Sequence, residues 1–323
     1  MISIACSTFS VLIMRNSGAL ILLLALAGCN LAADSPLAQR QAALVDVEAL
    51  SGKQALDYVS QLVAITPRHS GSAGAEQAAR FIRDTIAPFT DTGGIDSFQD
   101  QTPEGRLTFH NVIATLRGTG PDTVILGSHI DTKSGISDTF QGANDSGSST
   151  GLLIELARVL HQQPRLPFHV VFAFFDGEEC IREYGPQDGL HGSRHYARQL
   201  AETGAVDAVR AVIILDMIGD KDLTVTIPRN TSNTLTALVF KAAQAEGVRQ
   251  RFRFAAGAVL DDHVPFHEKK MPALNLIDFE YGTAPGRNDL WHTGNDTLEN
   301  ISAESLQTVG RVTLRVLNAL AAQ

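Results

Sequence analysis

Acidic and imidazole side chains gather at the ends of apolar runs in this 323-residue chain. Val124-Ile-Leu126 leads to His129 and Asp131, Val170 to Phe175 leads to Asp176, Glu178 and Glu179, and Ala211 to Leu215 leads to Asp216. Asp145, in Gly142-Ala-Asn-Asp-Ser146, and His292, after Trp291, extend the set. Carboxylates that converge in a crowded crevice repel one another, so several together call for a cation. Imidazole mixed with carboxylate, with room left for water or substrate, is the donor set of catalytic zinc. Taken singly, an aspartate at a strand end is more often a cap for the next helix or turn. Adjacent Glu178 and Glu179 straight after a strand cannot both be caps. As neighbours they point in different directions, so one can ligate while the other moves a proton.

The elements that must position these residues follow from periodicity. Helical spacing runs over Ala55 to Ile65, Gly74 to Ile86, Gly151 to Leu160, His191 to Leu200, Leu235 to Ala245 and Ala303 to Leu320. Strands are expected at Asn111 to Leu116, Thr123 to Leu126, Val170 to Phe175, Ala211 to Leu215 and Ala273 to Ile277. The third and fourth of these are unbroken apolar runs, as suits strands covered on both faces. The alternation predicts a single α/β domain with a mostly parallel central sheet flanked by helices on both faces, and ligands in such sheets sit outside the carboxyl ends of the strands.

Composition narrows the function classes. With 44% hydrophobic and 19% charged residues the chain has material for a sizeable core, and a formal charge of -9 argues against a nucleic-acid binder. Arg15 precedes an apolar run, Ala19 to Ala27, that ends Leu26-Ala-Gly-Cys29, as in a bacterial lipoprotein signal. The run is shorter than the roughly 20 residues a membrane span requires. Residues 1–29 are therefore read as a lipoprotein-type signal peptide, 30–40 as a tether, and 41–323 as the zinc-dependent catalytic domain. The expected location is the bacterial cell envelope, periplasm or outer membrane, with attachment through lipidated Cys29. The three cysteines are Cys6, Cys29 and Cys180, so the mature chain has no disulfide framework.

Six motifs, in order, carry a resemblance: Gly127-Ser-His-Ile-Asp131, Gly142-Ala-Asn-Asp-Ser-Gly147, Phe174-Phe-Asp-Gly-Glu-Glu179, Leu215-Asp-Met-Ile-Gly219, Asp261-Asp-His-Val-Pro-Phe266 and Trp291-His-Thr293. From about Leu62 to the C-terminus the chain resembles the superfamily of zinc-dependent aminopeptidases and animal-type glutaminyl cyclases. The resemblance to the cyclases implies one zinc, held by Asp145, Glu179 and His292, with Glu178 as proton carrier. The substrate is then a peptide or protein N-terminal glutamine, which cyclises to pyroglutamate and releases ammonia. The aminopeptidase alternative implies a second zinc on His129, Asp216 and a bridging Asp145.

Residues Cys180 to Asp188, inserted before Gly189-Leu-His-Gly-Ser193, the doubled aspartate Asp261-Asp262 and Trp291 before the last metal histidine look like the cyclase pattern. Tyr184 stands where the cyclases have tryptophan, and Asn144-Asp-Ser-Gly147 looks more like the peptidases. By the same resemblance Asp216 and Asp261 form a hydrogen-bonded acid pair beside Glu178, and Tyr184 and Trp291 wall the substrate pocket. His263 is expected to orient the aspartates, while His191, His195 and His267 have no evident partner. Two other classes fit the residues less well. A catalytically silent binding lipoprotein would have lost Glu178 or a ligand, and none is missing; a serine hydrolase would need a nucleophile elbow that Gly147-Ser-Ser-Thr-Gly151 does not form.

Overall fold

The structure, a computed structural model, describes residues 44–323. The proposed signal, Cys29 and tether lie outside the described residues. Serines accept backbone N–H groups at the starts of α1 (Gly52–Leu62), α2 (Ala73–Ile86), α5 (Asn233–Ala245) and α7 (Ala303–Ala321). Between these helices run α3 (Ser149–His161), α4 (His191–Glu202) and the short α6 (His263–Glu268).

Eight strands form one mixed sheet in the order β1-β2-β4-β3-β5-β8-β6-β7. The inner strands β4 (His169–Phe175), β3 (Thr123–His129), β5 (Val209–Asp216) and β8 (Ala273–Ile277) are mutually parallel. Strands β1 (Thr92–Thr102) and β2 (Gly105–Leu116) make an antiparallel hairpin on one side, and the three-residue β6 (Val225–Ile227) and β7 (Phe252–Phe254) close the other.

Each inner strand divides its apolar residues between two cores. Val170, Phe172 and Phe174 face the larger core with α1, α2, α3, α5 and α7, while Val171, Ala173 and Phe175 face the smaller one with Ala197 of α4 and Phe266 of α6. Burial on both faces is why these strands read as unbroken apolar runs. Parallel strands aim their carboxyl ends the same way, so His129, the segment after Phe175, Asp216 and the segment after Ile277 emerge along one rim. No helix among the described residues is long and apolar enough to cross a membrane.

Candidate active site

Asp145 joins two clusters of donors at this rim. It sits in an irregular helical turn, Ala143–Ser148, with non-helical backbone angles of φ -103° and ψ 90°. One carboxylate oxygen lies 3.0 Å from His129 Nε2, which is also 3.2 Å from Asp216 Oδ1. The other lies 3.2 Å from His292 Nε2, which stands 2.8 Å from Glu179 Oε1. Thus Asp145, Glu179 and His292 converge, and so do His129, Asp145 and Asp216.

Both sets have a zinc-compatible composition. Donors about 2.0–2.2 Å from one tetrahedral ion stand roughly 3.3–3.6 Å apart, close to the separations seen here. Two buried atoms, Glu179 Oε2 and His129 Nδ1, have no hydrogen-bond partner. Burial pushes Glu179 and Asp216 up to about 7. Burial opposes the imidazolium of His292, but hydrogen bonds to Asp145 and Glu179 carry it up to about 9. Burial likewise opposes the Asp145 anion, yet His129 and His292 hold that carboxyl far below its ordinary range. Protons on the imidazoles thus offset the buried carboxylates, the role a divalent cation fills with the imidazoles neutral.

Glu178 faces the same cavity from the other side of the chain turn. Gly177, at φ 85°, makes that turn possible, since a Cβ there would lie 2.5 Å from the Phe109 ring. Burial, reinforced by Glu179, Asp261 and Asp262 against the field of His129, raises the Glu178 carboxyl well above its ordinary range. The Tyr184 hydroxyl donates to it, 3.0 Å from Oε1 and 3.1 Å from Oε2. Gly189, at φ 78°, lies under the Tyr184 ring, where a Cβ would come within 2.5 Å. Trp291 Nε1 donates to Asp145 Oδ2 at 2.9 Å. The two aromatics expected to wall the pocket therefore act through polar atoms as well as ring surface.

The cavity encloses about 380 Å³, its open mouth included, and is lined by Asp145, Glu178, Glu179, Tyr184, Asp216, Asp261, Trp291 and His292. Met217, Leu260, Ile277 and Phe279 complete it and were not singled out by sequence reasoning. His292 and Met217 have left-handed φ angles of 54° and 49°, an uncommon and costly conformation for such residues that clusters at functional sites.

One expectation changes in the structure. Asp216 and Asp261 line one cavity, where His129 Nε2 lies 3.2 Å from Asp216 Oδ1 and the Asn275 amide and the Asp262 N–H donate to Asp261. His263 does not orient the aspartates, for both its buried ring nitrogens lack partners. Successive residues of a helix point about 100° apart, so adjacency to Asp262 in sequence gives no contact. His191 and His195, without evident partners in the sequence, pair with Asp100 at 2.9 Å and Asp96 at 3.1 Å.

Three supports rest on contacts that the sequence does not show. The Asp131 carboxylate accepts both Glu178 N–H and Glu179 N–H, each at 3.1 Å. Asp296 accepts the N–H groups of Asn144 at 2.7 Å and Asp145 at 3.1 Å, and Tyr281 donates to it at 2.9 Å. Buried Arg68 donates to the carbonyls of Ile130, Gln141 and Gly142, tying the His129 strand end to the Asp145 turn.

Residues 111–317 match peptidase family M28. A glutaminyl-peptide cyclotransferase of Bos taurus is 30% identical over 284 residues, covering 76% of this chain and 76% of that protein. The solved glutaminyl cyclase of an Acidobacteriales bacterium superposes with a TM-score of 0.79 at 34% identity, covering 85% of this chain and 95% of that one. A zinc-dependent exopeptidase of Parabacteroides distasonis gives 0.73 at 25% identity, covering 83% of this chain and 98% of its own. The chain belongs to peptidase family M28 and groups there with the glutaminyl-peptide cyclotransferases.

Proposed function

We propose that this chain is a zinc-dependent glutaminyl-peptide cyclotransferase that converts the N-terminal glutamine of peptides and proteins to pyroglutamate with release of ammonia. The observation that carries the reading is the Glu178 carboxylate, fixed by the Tyr184 hydroxyl, in one cavity with the Asp145, Glu179 and His292 donors. Tyr184 belongs to the segment 180–188, the inserted stretch of cyclase character. Asp145, Glu179 and His292 would hold one zinc ion. When bound there, zinc polarises the γ-amide carbonyl of the substrate and stabilises the charge that develops on its oxygen.

Glu178 takes the proton from the substrate's α-amine as the amine nitrogen bonds to the γ-carbonyl carbon. The same proton then goes to the departing amide nitrogen, the old carbon–nitrogen bond breaks, and ammonia leaves. A base of this kind is most effective near neutrality, the direction in which burial moves Glu178. Asp216 and Asp261 keep the cavity around Glu178 acidic, and Trp291 both walls the pocket and orients Asp145.

A second reading, a two-zinc aminopeptidase, draws on the His129, Asp145 and Asp216 set, which is as tightly assembled as the first. Export and lipid attachment through Cys29 belong to this proposal as well. Purified protein incubated with a Gln-initiated peptide and with leucine anilide separates the two chemistries. Ammonia together with a cyclised N-terminus is expected; aniline release alone would refute the cyclase reading.

A further inference from the structure

The far edge of the sheet carries cations and aromatic rings that take no part in the catalytic cavity. β7 pairs only with β6, so its outer edge is open. Phe254, at its end, is 42% exposed, one of few large apolar side chains left so open among the described residues. Its ring meets that of Phe240 edge-on, with centroids 5.1 Å apart. An arginine covers each ring: the Arg229 guanidinium lies 4.2 Å from the Phe254 centroid, and the Arg249 guanidinium 3.8 Å from that of Phe240.

Stacking occupies the flat faces of a guanidinium and leaves its N–H edges for an oxyanion. Arg229 Nε donates to the Ala255 carbonyl and Arg249 Nη1 to the Phe252 carbonyl, which holds both groups in place with further N–H groups to offer. Next to them Arg251 pairs with Glu304 at 3.1 Å, and Arg253 pairs with Glu280. Four guanidiniums thus stand with two carboxylates, a local positive excess in a chain whose formal charge is -9.

We infer that this surface docks on a bilayer, with its arginines on the phosphates of anionic lipid headgroups and Phe254 at the boundary of the acyl chains. The planar fork of arginine matches phosphate geometry, and the open ring calls for an apolar layer directly beneath the anionic one, which a free phosphate lacks and a bilayer supplies. The inference rests on the proposed export and lipid attachment only for a bilayer being at hand. Arg251 meets Glu304 at the start of α7, and the Val45 N–H donates to Asn318 near its end at 2.8 Å. Fourteen residues of helix at about 1.5 Å each put those points about 20 Å apart. Fifteen chain positions from Cys29 to Leu44, up to about 50 Å when extended, cover that span. β6 is antiparallel to β8 and β7 is parallel to β6, so β7 ends away from the rim where the zinc donors gather, and covering its end leaves that rim free.

The test uses the whole chain with Cys29→Ser, so that no acyl chain is attached, and sediments it with vesicles of phosphatidylcholine alone and of phosphatidylcholine mixed with phosphatidylglycerol. The contribution of residues 1–43 is common to all variants, so the readout is the change in the ratio of the two affinities. Each cation near an anionic surface strengthens binding about fivefold, so Arg229→Gln with Arg249→Gln should lower the ratio roughly tenfold to thirtyfold. Arg106→Gln with Arg117→Gln, the same loss of charge at exposed positions on and after β2, should leave it unchanged. Phe254→Ser should weaken binding to the mixed vesicles about threefold to tenfold. A ratio unmoved by the substitutions at Arg229 and Arg249, or lowered as much by the control pair, would overturn the docking surface. So would a dimer in analytical ultracentrifugation that Phe254→Ser abolishes, which would assign the face to a second copy of the chain. The unsubstituted chain is also expressed with radiolabelled palmitate: no label at Cys29, with the vesicle result intact, would remove the lipid attachment and leave the docking surface standing.

Discussion

Replacing Asp131 with asparagine tests how the two glutamates are held. The wild-type carboxylate accepts one backbone N–H on each oxygen, Glu178 at 3.1 Å and Glu179 at 3.1 Å, deep in the protein. Asparagine keeps the shape but has one oxygen, so its NH2 must confront the second N–H. A hydrogen bond to a charged group contributes about 1.5–3 kcal/mol, and a buried donor left unpaired costs a similar amount. A stability loss of about 2–3 kcal/mol is expected, or a fall in Tm of about 3–5 °C for a domain of this size. Because the two N–H groups belong to the proposed base and a proposed zinc ligand, zinc affinity or turnover should fall about 10–100-fold as well. Calorimetry gives the first quantity, competition with a chelating dye the second, and coupled ammonia detection the third. A variant with lowered Tm but wild-type zinc affinity and wild-type kcat/KM would show that Asp131 supports the fold without placing the site.

Further predictions concern single atoms of the cavity. Glu178→Gln should abolish ammonia release while elemental analysis finds zinc unchanged; a variant that still turns over would remove the proposed base. His292→Ala should lose zinc in equilibrium dialysis, since one of three protein donors is gone, and retained metal would argue for a different ligand set. Tyr184→Phe, which removes the hydroxyl bonded to Glu178, should lower kcat about 10–100-fold with KM little changed, the scale of one hydrogen bond to a charged group. Removing zinc with a chelator should lower Tm and abolish turnover, with both restored by added zinc; stability indifferent to metal would contradict a site shared among distant chain segments.

The inner sheet was legible because Val170 to Phe175 and Ala211 to Leu215 are buried on both faces and therefore apolar without interruption. Strand β1 was not, since Thr92–Thr102 is an edge strand of mixed exposure whose sequence carries few apolar residues. β6 and β7 are three residues long, too short to show a period. The proposed donors Asp145, Glu179 and His292, which converge in the structure, could be picked out through motifs that hold their residue types together locally. Their supports could not, because Asp296 reaches the N–H of Asp145 across 151 positions, and a carboxylate on a remote backbone N–H leaves no pattern in either segment.

Crystals of the zinc-loaded protein, with anomalous diffraction recorded at the zinc edge, test the central claim most directly. The expected result is a peak about 2.0–2.2 Å from a carboxylate oxygen of Asp145, a carboxylate oxygen of Glu179 and Nε2 of His292. A zinc ion bound elsewhere with these three side chains left empty would contradict it.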